Sequence, residues 1–313
     1  MPSNPQVAHA VSPARSLEER SCPACASPSF SGPLSEENGY SLVRCNKCRM
    51  LYTRAVQTVE AKILHYDRLA SERTDTTSTL SPAHYGLANQ IKSVRLYDSV
   101  LKFVNRQFPR GNVNFIDVGC AGGLFLLAAQ SMDGYHCGVE PRFTVRGISI
   151  DPRERNETER SVGCLVAFPD DAEAQWAGWA DVITLMNVLE HVNNPFRLLG
   201  QLKRVLKPGG LLVVDVPNNT IASIRGTLFH WWPVLDLGEH INHFVPSTLD
   251  RLAIRAGFRP VKRLPGLLGG AESLGKSLSG RAFARWSIAG ALMAMTGRKL
   301  QTFPHMTMAY RSD

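Results

Sequence analysis

Phe115-Ile-Asp-Val-Gly-Cys-Ala-Gly-Gly-Leu-Phe-Leu-Leu-Ala-Ala129 decides how the rest of the chain is read. Asn114–Gly119 has the length and apolar content of a buried strand. Gly119, Gly122 and Gly123 follow, and Leu124–Gln130 starts a helix at once. Glycines in such a turn allow backbone angles and a close ligand approach that a Cβ would block. Strand, glycine turn and helix in that order put the turn at the carboxyl end of a central strand, where open α/β sheets bind ligands.

Outward from this stretch the chain keeps alternating. Tyr135–Glu140, Asp181–Met186, Leu211–Val216 and Met306–Arg311 read as strands, and Pro195–Leu206 and Ser247–Ala256 as helices. Lys207-Pro-Gly-Gly210 ends the first of those helices. The alternation predicts an α/β fold with a Rossmann-like, doubly wound, mostly parallel sheet. Upstream, Tyr85–Phe108 carries apolar residues near helical spacing, among them Val100, Leu101 and Val104.

Four of the seven cysteines form two CxxC pairs, Cys22/Cys25 and Cys45/Cys48, separated by nineteen residues. Each CxxC turn sets two thiolates at the separation tetrahedral Zn²⁺ needs, and two such turns close a site with no open position. The metal expected there is structural Zn²⁺, which supplies folding energy to a segment too small to fold without it. The organisation expected is a disordered tail at 1–20, a zinc ribbon at 21–54, a helical connector or cap at 55–108, and an α/β domain at 109–313. Within that domain, residues 265–300 read as a lid or insertion, with contact to a membrane surface as an alternative.

A net charge of +8 and a pI near 9.3 are spread along the chain, densest at Arg251–Arg263 and Arg281–Lys299. Such a surface admits RNA, an anionic membrane face or a phosphorylated small substrate without selecting one. Met1–Arg20 has no apolar run of the signal-peptide kind, and Ile288–Met295 is far too short to span a bilayer, so the expected location is the cytoplasm.

A dinucleotide is the obvious alternative ligand for the glycine turn, but it wants GxGxxG with pyrophosphate at the helix N-terminus. Asp117 repels a pyrophosphate and suits a ligand with an ammonium group, such as the methionine part of S-adenosylmethionine (SAM). Glu140, in Gly138-Val-Glu-Pro141, ends the next expected strand, where a carboxylate can accept both hydroxyls of a ribose.

With these residues in place the chain resembles the class I SAM-dependent methyltransferases over roughly residues 110–262. More narrowly it is similar to the bacterial subgroup with an N-terminal zinc-binding ribbon. The matching stretches, in the family's order, are CPAC, RCNKC, DVGCAGG, GVEP, DVITLMNVLEHVNNP, LKPGGLLVVDVPN and GEHINHFVPSTL. The resemblance implies a seven-stranded sheet and a SAM site drawn from Asp117, Gly119, Cys120, Ala121, Gly122, Gly123, Glu140, Asp171 and Asn187. In it Asp171 meets the adenine amino group and Asn187 the methionine part. Ala121 departs from the glycine more usual there. Ile148-Ser-Ile-Asp151-Pro repeats the strand-acid-proline pattern eleven residues after Glu140; Glu140 keeps the usual spacing from Asp117 and is the favoured ribose acid.

The activity implied is methyl transfer to oxygen or carbon of a small or medium metabolite: a sugar, a lipid or a biosynthetic intermediate. Alignment of nucleophile, methyl and sulfur is the main requirement. An acceptor that loses a proton also needs a base, for which His191 and His240 are the candidates. Trp231 and Trp232 are candidates to wall the acceptor. Some small-molecule methyltransferases carry an acid in place of Asn187 and bind a metal with this motif; the amide here argues against a catalytic metal. One alternative is an RNA methyltransferase using the ribbon and basic surface, although the ribbon lacks aromatics interleaved with Lys/Arg. Another is a non-catalytic SAM-fold binding protein. Oligomeric state is not legible. Elemental analysis of purified protein is expected to find about one zinc per chain; less than about half an equivalent would count against a closed site.

Overall fold

The computed structural model describes residues 16–62, 64, 87–136, 143–220, 237–264 and 305–313. Its N-terminal part holds β1 (Leu17–Glu19), β2 (Phe30–Glu37), β3 (Tyr40–Cys45), β4 (Leu51–Thr53) and β5 (Ala55–Gln57). Asn38 and Gly39 both have positive φ between β2 and β3, the two-residue turn that matches the twist of a hairpin. Next come α1 (Leu87–Gln107), β6 (Val113–Val118), α2 (Leu124–His136), β7 (Phe143–Ile148) and α3 (Pro152–Val162). They are followed by β8 (Val166–Ala167), α4 (Pro169–Gln175), β9 (Ala180–Met186), α5 (Pro195–Val205) and β10 (Leu206–Pro217). The chain ends with β11 (Asn242–His243), α6 (Pro246–Arg255), β12 (Phe258–Leu264) and β13 (His305–Ser312).

Seven strands form the central sheet in the order β12-β13-β10-β9-β6-β7-β8. Neighbours from β8 through β10 run parallel, and β13 is antiparallel to both β10 and β12. This is the mostly parallel, doubly wound sheet expected from the alternation. Period-two alternation sorts the strand residues onto two buried faces. Val113, Phe115, Val182, Leu211 and Val213 pack with Leu101 and Val104 of α1 and Phe125 of α2. Ile116, Ile183, Leu185, Leu212 and Val214 pack on the other face with Leu199 of α5, Leu249 of α6 and Tyr52 of β4.

Two expectations change. Tyr135 and His136 close helix α2 instead of opening a strand, and the second strand is Phe143–Ile148, paired with β6 in the register Asp117↔Gly147. A Cβ on Gly147 would lie 2.7 Å from the Cys120 Sγ, so glycine at this register position makes room for the turn after β6. The tail expected to run through Arg20 is already a strand at Leu17–Glu19, paired with β5 at the start of the expected helical connector. Glu140, Trp231, Trp232 and residues 265–300 lie outside the described residues. Among the described residues no helix is long and apolar enough to cross a membrane.

The ribbon is not a separate bead. Its sheet has the order β11-β4-β3-β2, so its edge strand, Asn242–His243, comes from the far end of the chain.

Asp117 sits inside the central sheet, 4% exposed, and accepts the Thr184 hydroxyl at 2.6 Å from the paired strand. Burial pushes its carboxyl from 3.8 up to about 7, and the Thr184 hydrogen bond offsets only part of that. An acid with a raised folded pKa contributes no penalty below its unfolded value. Between about 3.8 and 7 the folded chain keeps a proton the unfolded chain has released, so stability falls as pH rises and levels off above that window. The ceiling on the loss is about 4 kcal/mol. Asp117→Asn is expected to make the ligand-free protein more stable than wild type in urea melts at pH 8. The gain should shrink severalfold at pH 4.5; a pH-independent difference would sink the assignment.

Candidate active site

The turn after β6 is held by its neighbours. Gly119 N–H donates to the Ile148 carbonyl at 2.7 Å, tying the turn to the end of β7. Gly119 (φ +70°) could not carry a Cβ, which would lie 2.5 Å from Val188 Cγ2 in the loop after β9. Gly123 (φ +78°) likewise abuts Val162 and Thr158 of α3. Ala121 takes φ +43° and Asn187 φ +57°, left-handed angles that non-glycine residues rarely adopt. The Ala121 carbonyl is held by the Thr158 hydroxyl, and the Asn187 N–H by the Asp215 carbonyl at 3.0 Å. Strained backbone in two facing loops at the carboxyl edge of the sheet, above a buried carboxylate, fits a ligand with ammonium and polar backbone-binding groups. Of the turn residues, Cys120 and Gly122 are buried and Ala121 is half-buried.

Beyond Asn187, a 3-10 turn (Leu189–His191) carries Glu190 and His191. Glu190 is 1% exposed, and among the described residues neither carboxylate oxygen has a hydrogen-bond partner. Burial, reinforced by the charge of Asp215, pushes it up to about 8. His191 Nδ1 lies 2.8 Å from the Glu239 carbonyl, and its Nε2 lies 3.9 Å from Glu190 Oε1. The His191 and His240 rings meet edge-on, with centroids 4.8 Å apart. The ligand atoms of Glu190, His191 and His240 all fall within 4.8 Å of one another, a set that can share a proton or a cation. The two candidate bases are therefore neighbours, although 49 positions separate them in the chain.

The four ribbon cysteines also converge within 4.8 Å. The Sγ atoms of Cys22 and Cys48, and those of Cys25 and Cys45, are 3.5 Å apart: far beyond a disulfide, and near the ~3.8 Å edge of a tetrahedral zinc–sulfur site. The two knuckles repeat one backbone pattern. Ala26 N–H donates to Cys22 and Arg49 N–H to Cys45, while Cys22 N–H donates to Ser27 and Cys45 N–H to Met50. Ala26 and Arg49 both take positive φ. A hydrogen bond with the Cys22 thiol draws Cys48 down to about 5. The cluster can hold an ion.

Other expected residues are less gathered. Asp171 is exposed in the first turn of α4, while its neighbour Asp170 bonds to Gln201 and Arg197. Sequence reasoning gave second place to Asp151, which follows β7 and whose backbone N–H donates to Ser149 Oγ at 3.1 Å. It missed Arg20 and Lys62, both half-buried against the His191 turn, because isolated basic residues in a tail and a connector carry no pattern. It also missed the buried Asp215, which accepts His305 Nδ1 at 3.1 Å and the Thr307 hydroxyl and so fastens β13 to β10.

Comparison with known proteins agrees with this geometry. A methyltransferase-domain family matches residues 90–263. A ubiquinone biosynthesis O-methyltransferase of Thiobacillus denitrificans is 26% identical over 202 residues, 63% of this chain and 82% of that one. One from Vibrio parahaemolyticus is 29% identical over 178 residues, 55% of this chain and 68% of that one. Among solved structures, the magnesium protoporphyrin IX methyltransferase of Synechocystis PCC 6803 with bound SAH matches 80% of this chain and 95% of its own, with 11% identity and a TM-score of 0.46. The family match spans more than half of the chain, and the sheet order and glycine turn accord with it. The chain belongs to the methyltransferase-domain family and is a class I SAM-dependent methyltransferase.

Proposed function

We propose that this enzyme methylates a hydroxyl oxygen of a small molecule, with His191 as the base. The observation that supports the reading best is the hydrogen bond at His191. A carbonyl only accepts, so the Glu239 carbonyl selects the tautomer with the proton on Nδ1, which makes Nε2 the basic nitrogen of the neutral ring. Glu190 Oε1 lies 3.9 Å from that nitrogen, and His240 brings a ligand atom within 4.8 Å of both residues' ligand atoms. The names of the similar O-methyltransferases support oxygen over carbon.

When bound, SAM supplies a methyl group on a sulfonium sulfur, an electrophile that needs an aligned nucleophile and a site closed to water. Asp117 and Asn187 serve the methionine part, and the backbone of Gly119, Cys120, Ala121, Gly122 and Gly123 forms its cradle. We assign the ribose to Asp151 in place of Glu140, because Asp151 follows the strand paired with β6. Asp171 faces the adenine end. His191 Nε2 takes the hydroxyl proton as the oxygen attacks, and His240 shares the positioning of the acceptor. Cys22, Cys25, Cys45 and Cys48 hold structural Zn²⁺. The free cysteines suit the cytoplasm. The chain is organised as ribbon, connector and catalytic domain.

A second reading has a specific observation behind it. The two unpartnered oxygens of Glu190, with His191 and His240, would suit a divalent cation that binds the acceptor oxygen. EDTA followed by Mg²⁺ or Zn²⁺ add-back, with ribbon zinc counted in parallel, separates the two. Base catalysis survives EDTA while the ribbon zinc stays in place.

Catechol with labelled SAM tests the function, with His191→Gln as control. Labelled catechol ether from wild type, and a loss on the order of 100-fold in His191→Gln, are expected. No labelled small molecule from catechol or from cell extract, together with nuclease-sensitive label, would point to RNA instead. By titration calorimetry Asp151→Ala is expected to weaken SAM at least tenfold and Glu140→Ala less than about twofold, since a charge-assisted hydrogen bond contributes roughly 1.5–3 kcal/mol. The reverse order would restore Glu140.

A further inference from the structure

We propose that Arg20 is a positioning residue for the acceptor-side histidines, which makes the N-terminal ribbon a working part of the active site. The inference rests on the O-methyl-transfer reading above and concerns what keeps its base in place.

His191 and His240 stand on two loops distant in the chain. Direct bonds join the loops: His191 Nδ1 to the Glu239 carbonyl, Ile241 N–H to the Glu190 carbonyl at 2.9 Å, and Asn242 Nδ2 to the carbonyls of Leu189 and Val192 at 2.8 and 2.7 Å. The central sheet reaches the first loop through the Asn187 N–H to the Asp215 carbonyl and the second through the Asn219 N–H to the Phe244 carbonyl. Both are anchored by the N-terminal segment.

Arg20 bonds to both at once. Its Nη1 donates to the Asn193 carbonyl at 3.1 Å, just after the His191 turn, and to Asn242 Oδ1 at 2.8 Å. Its Nη2 donates to the Ile241 carbonyl at 2.6 Å, and its Nε to the Thr53 carbonyl of β4 at 3.0 Å. One planar fork therefore fixes the spacing between the turn, the His240 loop and the ribbon sheet. The contacts around it reinforce each side. Thr53 N–H donates to the Ile241 carbonyl and its hydroxyl to Leu237, and Lys62 Nζ donates to the His191 carbonyl and to Asn193 Oδ1.

All four acceptors of Arg20 are neutral oxygens. The guanidinium is half-buried and stays charged at neutral pH. A cation withdrawn from water and held by dipoles is a costly way to gain stability, and well-packed apolar residues commonly do as well. What the guanidinium adds is geometry: five N–H donors in one rigid plane, a pattern that the three donors of a lysine cannot reproduce. A displacement of about 1 Å at a reacting centre is enough for a loss on the order of 100-fold.

The test compares wild type with Arg20→Lys, Arg20→Met and Asn242→Ala. Expected in each is SAM affinity within about twofold of wild type by calorimetry, one retained zinc, and a drop of tenfold or more in kcat for catechol methylation with KM changed less than about threefold. Proton NMR in water supplies a readout that needs no acceptor. The His191 Nδ1–H resonance, protected in wild type by the Glu239 carbonyl, is expected to broaden or vanish in Arg20→Lys while the methyl fingerprint of the central sheet is unchanged. A protected resonance in Arg20→Lys, or full kcat in either arginine variant, overturns the proposal. So does a parallel loss of SAM binding and stability in all three variants, which would make Arg20 a general fold residue. Failure of wild type to methylate catechol or any extract component rejects the O-methyl-transfer reading, and the NMR arm still decides the role of Arg20.

Discussion

A parallel strand that ends inside a sheet leaves its next amides to be satisfied by whatever the chain does after it. Here Gly119 N–H goes to the Ile148 carbonyl of the neighbouring strand, which bends the chain up over the edge of the sheet at a φ of +70°. That one bond has consequences on both sides. It brings Gly119 against Val188, so the loop after β9 must pass close by, and Asn187 takes a left-handed angle to do so. It also turns Cys120 onto β7, where the register presents Gly147 and therefore an open space. The cofactor loop and the loop bearing Asn187, Glu190 and His191 are thus set by mutual exclusion of volume, with little slack for either to move alone.

The ribbon depends on the catalytic half as much as the reverse. A segment of its size buries too little apolar surface to stand alone, and metal ligation is the usual remedy. In this chain packing against the catalytic half is another. Asn242–His243 completes the ribbon sheet, and Cys22, Val43, Met50 and Tyr52 join the same core as Leu199 and Leu249 of the helices beneath the central sheet. Arg255 of α6 reaches the carbonyl of Ala24 inside the first knuckle at 3.0 Å. An ion held by the four cysteines would act on chemistry only through the loops it steadies.

Much of this was legible from local pattern, because local pattern made it. β6 and its turn, β9, β10, α5 and α6 each come from a run whose apolar period and end signals agree. The second strand was not, since Gly-Val-Glu-Pro and Ser-Ile-Asp-Pro present the same strand-acid-proline appearance. What separates them is tertiary: only the later one brings a glycine beside Cys120. The pairing of Leu17–Glu19 with β5, and of β11 with β4, joins short polar stretches whose partners no window of sequence contains. The convergence of His191 and His240 was half visible: each was a candidate by residue type, but their contact rests on a bond across 48 residues.

Five ionisable groups, buried or half-buried, share a direction. Asp117 and Glu190 are pushed up, Lys62 is lowered to about 8, Arg20 to about 10 and His243 to about 3, each chiefly by burial. Every one of these shifts opposes charge, so every one marks free energy that the fold gives up at the seam between the sheet's carboxyl edge and the ribbon. A chain selected for stability alone would have filled that seam with apolar side chains. Clusters of this kind gather where a ligand's charge later offsets them. In the proposed function Asp117 is offset by an ammonium and the Glu190–His191 pair by a proton drawn from the acceptor, whereas Arg20 already donates to carbonyls. That difference divides the seam into groups that await a ligand and one that only holds them in place.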